Sequence, residues 1–124
     1  MPCGASRLAK EKNYLLPDKL TSMFSFLGFG KNKIKEAIRN GAVIIDVRTA
    51  NEFDRGKVPG SVNIPVDRIE TNIPKIKAMK KTIVVCCASG MRSGTAKQIL
   101  KEAGIDDVLN GGSWESVLKI CNQL

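Results

Sequence analysis

The sequence predicts a single α/β domain with a mainly parallel sheet and helices on both faces. Two runs rich in β-branched residues, 42–47 (AVIIDV) and 82–86 (TIVVC), are typical of strands buried on both faces. Apolar residues at helical spacing lie between such runs, and this alternation of strand and helix indicates a parallel sheet. A chain of 124 residues with 43% hydrophobic content is long enough for one core and short for two.

The beginning of the chain differs from the rest. Residues 1–30 mix basic side chains with Pro17 and Gly28 and show no sustained periodicity. We therefore expect a flexible N-terminal extension over residues 1–30, followed by one domain over residues 31–124. Met23 is an alternative start, which would leave a chain that begins just before the first helix.

The first half of the domain contains three local signals. A helix with Ile34, Ala37 and Ile38 on one face is expected to stop at Asn40-Gly41. After the first strand, Thr49 is expected to cap a short helix that runs to Arg55, with Glu52 as the acid of a capping box. Pro59-Gly60 then turns the chain into a short strand, residues 61–65.

The second half repeats the alternation. Residues 67–80 predict one or two short helices interrupted at Pro74, before the strand at residues 82–86. The next helix ends at Gly104, and its apolar positions follow helical spacing: Ala96, Ile99, Leu100 and Ala103. Residues 107–109 predict a short strand, and Ser113 opens a terminal helix.

Charge and composition narrow the classes of partner. The net charge is +8, but residues 1–40 carry eight Lys and Arg against three Asp and Glu, so the domain itself is only mildly basic. Aromatic residues are few and no Arg-rich face interleaves with them, so no nucleic acid is expected as a partner. No apolar run approaches the ~20 residues that cross a bilayer, so no membrane partner is expected either. A monomer is the simplest expectation.

Cysteine usage indicates a reducing compartment, with the cytoplasm as the default. The four cysteines lack paired C-x-x-C spacing and the chain has no histidine, so we predict neither a disulfide scaffold nor a metal site. Cys86 ends a buried strand and is interpreted as a packing residue.

Cys87 has a different setting, because a glycine-containing loop and an arginine follow it. In an open parallel sheet, ligands bind beyond the carboxyl ends of the strands, where Cys87 would lie. Backbone amides of residues 88–92 are expected to curl around the sulfur, and the next helix adds its positive end. Without histidine, these groups and Arg92 must lower the thiol pKa to give the reactive thiolate.

Neighbouring residues have supporting interpretations. Gly90 suits a loop that needs positive φ. Ser93 either caps the next helix or donates to a bound anion, and Ser89 is a candidate for the second role. Asp46 and Arg48 follow a buried strand, where an ion pair or hydrogen bonds to loop backbone are expected.

Three ordered motifs resemble the rhodanese family. Residues 87–93, C-A-S-G-M-R-S, fit the C-x-x-G-x-R-S active-site loop of that family. The upstream and downstream segments also match its pattern: Ile45-Asp46-Val47-Arg48 with Glu52-Phe53, Gly56, Pro59-Gly60 and Asn63-Ile64-Pro65, and Leu109-Asn110-Gly111-Gly112 with Trp114. Lys57 stands where many members have histidine, and Trp114 lies closer to the glycine pair than in many members. That pair either forms a turn or allows backbone to approach the loop closely.

The resemblance implies a three-layer sandwich, no cofactor, and a persulfide relay. Cys87 would take sulfur from thiosulfate or a similar small anionic donor and pass it to cyanide or a thiol, including a protein thiol. Arg92 would orient the loop and the donor. The rest of the substrate-binding loop would be Ala88, Ser89, Gly90, Met91 and Ser93.

Two other functions remain open from the sequence. One is a non-catalytic binding or persulfide-carrier module on the same fold. The other is a cysteine phosphatase or arsenate reductase, which also places cysteine and arginine around an anion. Phosphatases that resemble this fold carry one residue more between the two than the four found here, Ala88 to Met91.

Overall fold

A computed structural model of the chain describes residues 30–124. The expected extension, including Met23, lies outside the described residues except for Gly30, which begins the first helix. In chain order the elements are α1 (Gly30–Arg39), β1 (Val43–Asp46), α2 (Ala50–Arg55), β2 (Val62–Asn63), two 3₁₀ turns (Val66–Arg68 and Glu70–Asn72), α3 (Ile73–Met79), β3 (Ile83–Cys87), α4 (Met91–Glu102), β4 (Val108–Ser113) and α5 (Trp114–Asn122). Across residues 30–124, no helix has the length and apolar character needed to span a bilayer.

The sheet has the strand order β2-β1-β3-β4 with every pair parallel, which confirms the predicted α/β class. β1 lies between β2 and β3, so Ile45 pairs with both Val62 and Val85. Because the strands are parallel, their carboxyl ends meet at one edge. Asp46 and Cys87 end β1 and β3 at that edge.

Alternate residues of the strands supply two hydrophobic cores, one on each face of the sheet. On one face, Ile45 and Val85 pack with Ile76 of α3 and Leu100 of α4. On the other face, Val84 packs with residues of α1 and α5. This gives the expected three layers, and residues in the middle strands are buried on both faces, as their β-branched runs predicted.

Local signals account for most element ends. The capping box of Thr49 and Glu52 is confirmed, and Ser113 caps α5 by accepting a hydrogen bond from the Ser116 amide. The short helices expected over residues 67–80 are present, but their interruption precedes Pro74, because the second 3₁₀ turn ends at Asn72 and α3 begins at Ile73. Pro74 lies in the first turn of α3, where a helix tolerates a residue that lacks an N–H group.

The strand expected over residues 107–109 is longer, since β4 continues to Ser113 and contains the glycine pair. The turn interpretation of Gly111-Gly112 is therefore wrong. Val85 pairs with Asn110 and Cys86 pairs with Gly112, which makes Gly111 the extra residue of a β-bulge. A Cβ atom on Gly111 would lie 2.7 Å from Val117 Cγ2, so α5 packs directly on this backbone.

We expect Gly111→Ala to lower the free energy of unfolding by about 1–3 kcal/mol, because the added methyl group overpacks the contact with α5. Gly94→Ala is the matched control. Gly94 lies inside α4, and a Cβ there would lie 3.5 Å from Asn110 Nδ2, an ordinary van der Waals distance. Alanine is favoured over glycine in a helix by about 0.5–1 kcal/mol, so Gly94→Ala should raise stability. Urea unfolding of both variants checks this, and equal effects would contradict it.

Candidate active site

Cys87 ends β3 at the carboxyl edge of the sheet, and the chain then turns through Ala88, Ser89 and Gly90 into α4. Gly90 has φ 101°, a left-handed conformation that the glycine in this loop predicted. This turn reverses the chain so that backbone amides face the end of β3. Met91 begins α4 and its side chain is exposed, as are Ala88 and Ser89.

The Cys87 sulfur is the focus of several donors. Its Sγ lies 2.9 Å from the Gly90 amide nitrogen and 3.6 Å from the Ser93 hydroxyl, and the residue is fully buried. Burial raises the pKa of Cys87. Hydrogen bonds from the Ser93 side chain and from the backbone of Ser93, Gly90 and Ser89 lower this pKa by more than burial raises it, so the net shift is downward. The loop therefore favours the thiolate.

Cys86 is a contrasting neighbour. Its side chain belongs to the core on the opposite face of the sheet, and burial, followed by the nearby Asp46 charge, raises the pKa of Cys86 to about 12. Cys121 is a free thiol whose pKa burial also raises. Among the cysteines of residues 30–124, Cys87 is thus the one whose surroundings favour ionisation.

Arg92 makes a two-pronged ion pair with Glu52. Its two terminal nitrogens lie 2.8 and 3.0 Å from the two carboxylate oxygens. Hydrogen bonding to Arg92, helped by the Thr49 backbone amide, lowers the pKa of Glu52 from 4.5 to about 2. Apart from its place in the upstream motif, Glu52 was assigned only a capping role from the sequence. Its partnership with Arg92 joins α2 to α4 across 40 residues of chain, and no local pattern signals it.

Asp46 and Arg48 form a buried ion pair behind the loop. The Arg48 guanidinium donates to both Asp46 oxygens at 2.7–3.0 Å and to the backbone oxygens of Glu52 and Gly56 at 3.1 and 2.6 Å. It also stacks on Trp114 at 4.7 Å from the ring centroid. These contacts fix the position of α2, the helix that carries Glu52.

Ser93 does not cap α4, because Gly90 occupies the N-cap position and Ser93 lies buried in the first turn. Its hydroxyl lies 2.7 Å from Asn110 Oδ1, and Asn110 also contacts the Gly90 carbonyl oxygen and the Gly112 amide. Asn110 belongs to the downstream motif, but the sequence indicated no role for it in the site. The available signal was its place directly before the glycine pair, which the β-bulge brings beside the loop.

Outside the loop, the part of the chain that the structure describes contains a cavity but no cluster of metal-ligating side chains. No group of three or more Cys, Asp or Glu side chains within residues 30–124 is arranged to hold a metal ion. A cavity of about 540 Å³, lined by Lys77, Lys80, Lys81 and Asp107 among others, lies at the amino ends of the strands, away from Cys87.

Replacing Arg92 by glutamine should return the Glu52 pKa from about 2 toward its ordinary 4.5. The charged pair stabilises the fold above that ordinary value, and its contribution is lost as the pH falls toward 2, because protonation removes the negative partner. Carboxyl ¹³C NMR titration measures the shift. Arg55→Gln is the control. It removes an exposed arginine from α2, the helix that carries Glu52, and should leave the Glu52 pKa unchanged.

Comparison with known proteins agrees with this geometry. Residues 31–118 match the family model for the rhodanese-like domain. The chain is 36% identical to the thiosulfate sulfurtransferase PspE of Escherichia coli over 59% of this chain and 71% of that protein, and 33% identical to the thiosulfate sulfurtransferase GlpE of Shewanella oneidensis over 73% and 91%. The solved structure of a rhodanese with anions from E. coli superposes with a TM-score of 0.57 at 34% identity, covering 61% of this chain and 91% of that one. The match over most of the chain, together with the fold, shows that this protein belongs to the rhodanese-like domain family.

Proposed function

We propose that this protein is a sulfurtransferase that moves a sulfane sulfur from thiosulfate, or a similar small anionic donor, to a thiophilic acceptor through a persulfide on Cys87. The observation that carries the proposal is the Cys87 sulfur at the carboxyl edge of the sheet, with the Gly90 amide 2.9 Å away. Family membership and the sulfurtransferases among its relatives support the same class of reaction.

The first half of the reaction loads the cysteine. The Cys87 thiolate attacks the outer sulfur of thiosulfate, a new S–S bond forms, and the donor S–S bond breaks with its electron pair leaving on sulfite. In the persulfide the negative charge lies on the outer sulfur, whereas in the thiolate it lies on the Cys87 sulfur, to which the loop amides donate. This is the kind of fixed-dipole stabilisation that a backbone nest provides without histidine.

The second half returns the thiolate. A nucleophilic acceptor such as cyanide or a thiol attacks the outer persulfide sulfur, and the S–S bond breaks with its electron pair returning to Cys87. We assign Arg92 to the attraction and orientation of the anionic donor. Because Arg92 is held by Glu52, the donor shares that guanidinium with a carboxylate already bound to it.

The partners that we propose follow from the same chemistry. The donor is a small sulfur-containing anion, and the physiological acceptor is a thiol, either of a small molecule or of a protein. The protein acts as a monomer in the cytoplasm. The free thiols Cys86, Cys87 and Cys121 suit a reducing compartment.

Incubation with excess thiosulfate followed by intact-mass measurement tests the loading step. We expect the wild type to gain one sulfur atom and to release it as thiocyanate when cyanide is added, because Cys87 is the ionisable thiol. Cys87→Ser should gain nothing. Cys121→Ser is the matched control, since it removes another free thiol and should load and discharge like the wild type.

Other outcomes distinguish the competing functions. A protein that gains sulfur but never transfers it to cyanide or to a small thiol would be a persulfide carrier that discharges only to a protein. A protein that gains no sulfur and hydrolyses an aryl phosphate would be a phosphatase. Equal loading of wild type and Cys87→Ser would refute the assignment of the nucleophile.

A further inference from the structure

The Ser93 hydroxyl has a single proton and three acceptors within reach. They are Asn110 Oδ1 at 2.7 Å, the Gly90 carbonyl oxygen at 3.1 Å and the Cys87 sulfur at 3.6 Å. A serine hydroxyl donates one hydrogen bond at a time. The three acceptors therefore compete for the same proton.

The surrounding hydrogen bonds decide where that proton lies at rest. The Asn110 oxygen accepts from the Gly112 amide at 2.9 Å, and the Asn110 nitrogen donates to the Gly90 carbonyl at 3.3 Å, so the orientation of the amide is fixed. The Gly90 oxygen also accepts from the Gly94 amide at 3.0 Å, which fills its second lone pair. The short contact between two oxygens, Ser93 to Asn110, then requires the Ser93 proton.

This arrangement has opposite effects on the two forms of Cys87. A protonated thiol can donate its own hydrogen to the Ser93 oxygen while Ser93 donates to Asn110. A thiolate has no hydrogen to give and takes the Ser93 proton instead, which breaks the 2.7 Å bond. We infer that Asn110 is a positioning residue that governs the ionisation of Cys87 by competing with the sulfur for the Ser93 proton. The inference rests on the proposed role of Cys87 as the nucleophile.

Other charged and titratable groups act on Cys87 from neighbouring elements and are left in place by a change at Asn110. Arg92 on α4 and the Cys86 thiol on β3 interact with Cys87 electrostatically, without a hydrogen bond, while Asp46 on β1 and Glu52 on α2 act on Arg92. Asn110 itself carries no charge. Its side chain lies at the surface, so that its replacement leaves both hydrophobic cores intact.

Asn110→Ala should lower the pKa of Cys87 by about 0.5–1 unit, the equivalent of one net hydrogen bond, because the Ser93 proton becomes available to the thiolate. The pH dependence of iodoacetamide alkylation measures this value. Tandem mass spectrometry of the tryptic peptide over residues 82–92 separates Cys87 from Cys86. The midpoint of the profile reports the pKa, whereas restricted access of iodoacetamide to the sulfur lowers the limiting rate and leaves the midpoint unchanged.

Two further variants make the test specific. Asn110→Asp keeps an acceptor for Ser93 and adds a negative charge, so it should raise the pKa of Cys87. In a Ser93→Ala background, Asn110→Ala should produce no shift relative to Ser93→Ala alone, because the shared proton is gone. Mere loss of loop support would instead remove amides from the sulfur and raise the pKa.

A rise in the Cys87 pKa of Asn110→Ala, or the same fall with and without the Ser93 hydroxyl, would overturn the inference. Alkylation requires no sulfur donor or acceptor. The outcome is therefore independent of whether the wild type loads sulfur from thiosulfate, and failure of the proposed function would be seen separately in the mass measurement.

Discussion

The buried ion pair between Asp46 and Arg48 is the interaction on which the geometry of the site depends. Asp46 ends a central strand, and Arg48 spans from it to the backbone of α2 and the ring of Trp114. Removing one partner of such a pair leaves an uncompensated buried charge and lowers the free energy of unfolding by about 3–5 kcal/mol. The native fold therefore keeps both partners in contact. Through α2 the ion pair also fixes Glu52, and through Glu52 it fixes Arg92 beside the loop.

The loop itself shows how a rhodanese-like domain favours a thiolate without an imidazole. A strand places the cysteine at the edge of the sheet, a left-handed glycine turns the chain, and the amides of Ser89, Gly90 and Ser93 donate to the sulfur. Each step follows from backbone geometry. Gly112 of β4 allows the backbone of β4 to approach this loop closely. A Cβ on Gly90 would lie 3.4 Å from the Gly112 Cα.

The parts of the structure that the sequence predicted are those with local causes. Buried strands, the Thr49 capping box, the positive φ of Gly90 and the position of Cys87 at the carboxyl end of a strand all follow from neighbouring residues. The partnerships of Arg92 with Glu52 and of Ser93 with Asn110 span 40 and 17 residues, and they depend on sheet register and on a bulge. Register is set by how the whole sheet packs, so no short window of sequence contains it.

The alternation of side chains along β3 has a chemical consequence for the persulfide proposed on Cys87. A persulfide beside a second reactive thiol is short-lived, because that thiol can attack it, form a disulfide and expel hydrogen sulfide. Cys86 and Cys87 are adjacent in sequence, yet they face opposite cores, and the pKa of about 12 keeps Cys86 protonated. In the proposed mechanism, the strand therefore keeps a persulfide on Cys87 apart from the neighbouring thiol until an external acceptor attacks it.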